Sequence, residues 1–251
     1  KETGATAKAF GMETAPFVTI PCVITSVSPE ESTAEIEKQI DSIINGLTNP
    51  DSLTVNSADE EAHRSGGPDL TFNGTDEIDA WEAFNTEFLD RGWGDGLPLI
   101  PPTRQKVDKI LTGTTLAADD IVGHLPPGMG IATVEKIAIS CAMAGCEPDH
   151  LPVIIAACRA IINMGGRARQ WLMSTSPDAP FILVNGPIVE QLGINSNQAT
   201  LGPGRQSRVN IITGRDLRLT LLNVVHNYPG EREMCTSGAS TKLHLCASDS
   251  Q

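Results

Sequence analysis

"ATVEKIAISCAMAGCEPDHLPVIIAACRAIIN", residues 132–163, holds two helical patterns that meet at one glycine. In the first, Val134, Ile137, Ala138 and Cys141 recur at three- and four-residue spacing; Gly145 then ends the pattern. The second carries Ile154, Ile155, Cys158, Ile161 and Ile162 on one face. The spacing predicts helices over about 133–144 and 148–163, joined at a glycine stop. Cys141 and Cys158 lie on the apolar faces and read as inert core thiols. Cys146 differs, because it follows the stop and precedes the next helix. There the helix macrodipole favours a thiolate, so Cys146 is a candidate nucleophile, with burial as a small hydrophobe the competing reading.

Working outward, "PFILVNGPI" at 180–188 is almost entirely apolar, the pattern of a strand buried on both faces. Helices are expected over about 76–91, 104–111 and 206–226, the last being the longest, with "VGHLPPGMGIAT" at 122–133 read as a loop. The stretch 235–246 is expected to close with a strand. Toward the N-terminus, a helix end at 2–10, a short strand "APFVTIP" at 15–21 and one helix over "SPEESTAEIEKQIDSIINGL" at 28–47 make an incomplete α/β unit. The expected architecture is therefore α/β: a partial unit at 1–48, a linker at 49–75 rich in turn formers, and a helix-rich α/β domain at 76–251.

Charge is unevenly spread. Residues 1–79 hold 15 acids and 4 bases, against 16 acids and 14 bases in residues 80–251. An acidic surface of this kind repels phosphate backbones and anionic lipid, so neither nucleic-acid nor membrane binding is expected. No apolar run approaches the roughly 20 residues that span a bilayer. Six widely spaced cysteines in 251 residues point to reduced thiols in a cytoplasmic protein.

Several other residues are placed where chemistry could occur. "GWGDGLPLIPP" at 92–102 surrounds the single charge of Asp95 with glycine and proline, as a site-shaping loop or a rigid connector would. Glu135, in the first turn of its helix, is a candidate acid or base. Asn185 stands where a strand ends, and Asn195 opens the amide- and glycine-rich run "NSNQATLGPGRQSR" at 195–208, which suits an anion. Arg208 and Arg215 are seven apart on one helical face, fit for a carboxylate clamp or for salt bridges to the acidic N-terminal third. His244 and Cys246 would share one face of a strand, as a thiolate–imidazole pair or two metal ligands. No Walker lysine and no glycine fingerprint after a strand is present, so no nucleotide cofactor is expected.

The runs "DGLPLIPPT", "ATVEKIAISCAMAGCEPDHLPVIIAA", "LVNGPI", "GINSNQATLGPG" and "GRDLRLTLLNV", in that order, resemble the UGSC-like family of bacterial proteins. That family is named for a Sec/Cys-Gly-Ser-Cys motif, and its first domain is similar to the selenocysteine-bearing subunits of proline and glycine reductases. The resemblance implies an α/β first domain with a nucleophilic thiol or selenol upstream of residue 1; residues 1–251 contain no Cys-x-x-Cys. It also places Asp95, Glu135, Cys146, Asn185, Asn195 and Cys246 on motif positions.

Together these readings favour an enzyme, or enzyme subunit, acting on a small carboxylate-bearing molecule by thiol redox or lyase chemistry. Arg208, Arg215, Asn185 and Asn195 would bind; Asp95, Glu135, Cys146 and Cys246 would react. One alternative is a site in which Cys, His and carboxylate ligands hold a transition metal. Another is a non-catalytic partner in a hetero-oligomer, and a homo-oligomer is equally compatible with the chain.

Overall fold

The computed structural model describes residues 28–48, 69–243 and 245–248. The helix end expected at 2–10, the "APFVTIP" strand and His244 lie outside the described residues. The chain divides into two units, Lys1–Gly67 and Pro68–Gln251.

In the first unit the helix expected over 28–47 is two helices, α1 (Pro29–Lys38) and α2 (Ile40–Thr48). The break is a tightened turn: Gln39 N–H donates to Ile36 O at 2.9 Å, three residues back rather than four.

The second unit begins with α3 (Glu77–Asp90), started by Asp76, whose Oδ1 accepts from the amides of Ile78 and Asp79, each at 2.9 Å. Such a cap satisfies amides that the first helical turn leaves without partners. Phe72, in the stretch read as linker, packs edge-on against Phe84 with ring centres 5.5 Å apart, so this end of the stretch is held to α3. The loop 92–102 leads to α4 (Arg104–Leu111).

Residues 122–133 depart from the expected loop. They form most of a hairpin of β1 (Ile121–Leu125) and antiparallel β2 (Gly130–Thr133), with Pro126, Pro127 and Gly128 in its turn. Glycine is required at 130 because a Cβ there would lie 1.8 Å from the Val224 carbonyl oxygen.

The strand runs into α5 (Val134–Ala144), followed by α6 (Leu151–Asn163), α7 (Gly166–Leu172), β3 (Ile182–Val184), α8 (Ile188–Leu192), α9 (Arg208–Val225) and β4 (Cys246–Ser248). The core lies where α9 runs along α5 and α6, around the fully buried Ile137, Leu151, Ile154, Leu219 and Leu221. The two-sided burial expected for β3 is not found. It pairs in parallel with β4, Ile182 opposite Cys246; Val184 is buried while Phe181 and Leu183 are exposed. β3 is thus buried at Val184 and open at Leu183, whereas β4 is buried at all three of its residues.

The described residues thus form a helix-rich α/β arrangement with two small sheets. Among the described residues no single helix is long and apolar enough to cross a membrane.

Candidate functional site

The glycine stop of α5 builds the densest chemistry in the unit. Gly145 takes the left-handed conformation at φ 86°, so its amide reaches Ala142 O and the Cys146 amide reaches Cys141 O at 2.9 Å. This crossed pair of bonds is the Schellman closure, which folds the chain back over the last helical turn. Cys146 is thereby returned beside Cys141, close enough for each thiol to shift the ionisation of the other.

From the other side α9 presents Asp216. The Cys146 thiol donates to Asp216 Oδ2 and to Ile212 O, both at 3.6 Å, and Thr220 Oγ1 donates to Asp216 Oδ1 at 3.3 Å. Asp216 is fully buried and, among the described residues, none of its partners is a cation. Burial lifts its carboxyl to about 7, against the pull of hydrogen bonds from Cys141, Cys146 and Thr220. The expected thiolate at Cys146 is corrected here. Its neighbour Cys141 draws its pKa down, but burial and the facing Asp216 outweigh that and raise it. The thiol bonds to Ile212 O and Asp216 of α9, and the α-helix that follows begins only at Leu151, five residues on. Burial lifts Cys141 further, and Cys158 as well.

Cys146 is 7% exposed and forms part of the wall of a cavity of about 160 Å³. Lys106, Lys109 and Arg208 also line it, with Ile100 and Ile110 supplying apolar wall. Arg208 Nη2 donates to Gly145 O at 3.4 Å. Lys109 binds Glu147 at 2.6 Å, which holds that carboxyl below its ordinary range. A thiol, a second thiol and a carboxyl that can take a proton therefore lie beneath a cationic opening. Such a constellation suits nucleophilic attack on a small anion.

The remaining candidates are dispersed. Asp95 and Arg215 bind each other: Arg215 Nε reaches Asp95 Oδ2 at 2.7 Å and Nη2 reaches Oδ1 at 2.9 Å, with the Asp95 side chain 1% exposed. Nη2 also donates to the carbonyls of Leu97 and Pro98, each at 3.0 Å. The carboxylate clamp thus exists, but its carboxylate is internal, and Arg208 and Arg215 serve different places. Asp95 is a structural anion of the loop, not a free acid or base at a site mouth.

Glu135 pairs with Arg104 at the start of α5, the length of that helix away from Cys146, roughly 15 Å at 1.5 Å per residue. Asn195 is spent on its own loop: its amide group donates to Gln198 O and Ser207 Oγ, its Oδ1 accepts from Asn197, and its backbone exchanges two bonds with Asn210. Cys246 is buried in β4, where burial lifts its thiol to about 12. It is no ready nucleophile. Asn185 is exposed at the end of β3 and lines a separate, mainly apolar cavity of about 550 Å³. Of the eight site residues expected from sequence, only Cys146 and Arg208 meet at the 160 Å³ cavity.

Asp216 was not anticipated. The available signal was a carboxylate on the apolar stripe of a long helix, four residues after Ile212 and three before Leu219. Among the described residues no three His, Cys, Asp or Glu side chains converge as a metal-binding group. Set against family models, curated proteins and solved structures, the chain matches none.

Proposed function

We propose that this protein is an enzyme, or the thiol-bearing subunit of one, that acts on a small carboxylate-bearing electrophile through Cys146. The observation that supports it is the meeting of Cys146, Cys141 and Asp216 beneath Lys106, Lys109 and Arg208. The cations hold the carboxylate of the substrate. Asp216 accepts the Cys146 proton as a sulfur–carbon bond forms and returns it to the departing group, which leaves with the electron pair. Cys141 then attacks the Cys146 sulfur, giving a disulfide and leaving its electrons, with its proton, on the substrate carbon. An external dithiol restores the pair. This two-electron sequence favours the reductive reading over the lyase reading, because a lyase has no use for Cys141. Kinship with the UGSC-like proteins is part of the same proposal, since their naming motif is also a pair of thiol or selenol groups.

The test compares two alkylating agents of similar size, anionic iodoacetate and neutral iodoacetamide, with the modified cysteine mapped by mass. Cys146 is expected to react first, to favour iodoacetate over iodoacetamide relative to a free thiol by about tenfold, and to lose that preference in Arg208→Gln. The rate should rise as pH passes through about 7, where Asp216 becomes able to accept the proton. Equal, slow labelling of Cys146 and Cys158 by both agents would sink the proposal.

A further inference from the structure

A second site lies elsewhere along α9, around Arg218. Its side chain is 10% exposed, and among the described residues its ion-pair partner is Glu233 Oε2 at 3.9 Å, too long for a hydrogen bond. The nearer claim on Glu233 is that of Lys242, whose Nζ reaches Oε1 at 2.6 Å. Burial accordingly lowers the Arg218 pKa, against the opposing pull of Glu233 and Asp95. A guanidinium carries five N–H donors in a planar fork, and among the described residues none of them has a hydrogen-bond acceptor here.

Charge accounting sharpens the point. Arg215, Arg218 and Lys242 are three cations with side chains 10–12% exposed, against two carboxylates, Asp95 and Glu233, at 1% and 9%. Among the described residues this buried cluster holds one positive charge more than it holds negative. Asp90, Arg91 and Glu231 also line the cavity and Asp178 lines a smaller void beside Arg218, but all four are exposed, and water screens them. A buried surplus charge is costly unless paired. Next to it, the side-chain oxygen of Asn227, a residue 1% exposed, accepts no hydrogen bond, in a small void that Arg218, Glu233 and Lys242 also line.

The cluster opens on a cavity of about 700 Å³, within the range of small-molecule sites, with Leu89, Leu222, Tyr228 and Leu243 as apolar wall. We infer that this cavity binds an organic monocarboxylate, whose carboxylate takes the free fork of Arg218 and whose apolar body lies against that wall. One negative charge cancels the surplus, and the planar acceptor matches the planar donor. The site shares no lining residue with the Cys146 cavity, so it stands or falls apart from the thiol chemistry.

Benzoate and its neutral counterpart benzamide are the probes, titrated against the full chain by calorimetry. Benzoate is expected to bind saturably and benzamide at least tenfold more weakly. Arg218→Gln should weaken benzoate tenfold or more, whereas Glu233→Gln, which raises the surplus by one charge while keeping an acceptor for Lys242, should tighten it severalfold. Phenylglyoxal labelling of the unaltered chain covers the case in which Arg218→Gln does not fold: bound benzoate should slow modification of Arg218 severalfold and leave exposed Arg91 unchanged. Equal binding of the two probes, no saturation by benzoate, looser binding in Glu233→Gln, or equal protection of Arg218 and Arg91 overturns the inference.

Discussion

Asp95 and Asp216 are both buried aspartates tied to α9, and the helix treats them in opposite ways. Asp95, from the 92–102 loop, meets a bidentate arginine from α9. Asp216, the next residue along α9 after that arginine, meets two thiols and a hydroxyl and answers burial by holding a proton near neutral pH. A core can carry a carboxylate either by supplying a counter-charge or by removing the charge. Only the second solution leaves a group whose proton can be given and taken at pH 7, and for that reason the candidate chemistry lies with Asp216.

Removing the counter-charge should produce the largest effect. Arg215→Met leaves Asp95 buried without its clamp and strips donors from two loop carbonyls, so unfolding by urea should show a loss on the order of 3–5 kcal/mol. Adding Asp95→Asn to it is expected to recover a good part of that loss; a double variant as unstable as the single would break the comparison.

The proton-holding solution is read from pH. The folded Asp216 carboxyl titrates at about 7 against an ordinary 3.8. Its contribution to stability is full below pH 3.8 and is lost as pH rises through 7, a span worth on the order of 4 kcal/mol. Asp216→Asn should flatten stability across this window, measured as unfolding midpoints from pH 4 to 8, and should slow Cys146 alkylation at pH 8. An unchanged pH profile would show that Asp216 is ionised throughout.

The smallest effect belongs to a carboxylate outside the core. Glu135 meets Arg104 at a side chain 63% exposed, so Glu135→Gln should cost under about 1 kcal/mol and leave the iodoacetate preference of Cys146 unaltered. A large effect would restore Glu135 to the site from which its distance now separates it.

Much of the helical frame was legible in the sequence because its signals are local. Gly145 and Pro148 mark the α5–α6 break, and the apolar spacing of 206–226 marks α9 within two residues. The hairpin was hidden by Gly123, Pro126 and Pro127, residues that usually argue against strand; pairing across the turn and the seat on the α9 backbone outweigh that preference. For the site, Cys146 and Arg208 were legible as chemical types. The pairings were not, because Cys146 meets Asp216 and Asp95 meets Arg215 through contacts spanning 70 and 120 residues, which no local spacing encodes.

The Schellman closure at Gly145 also bears on the order of events during folding. Cys141 and Cys146 are joined by a helix end of six residues, a local event on the microsecond scale, whereas Asp216 arrives from 70 residues further along the chain. In any state of the chain in which α9 is undocked, the two cysteines, five positions apart, lack the cover of that helix and are open to oxidants. Once α9 covers them, the same pair is sheltered, and access runs through the cationic opening that Arg208 helps to form.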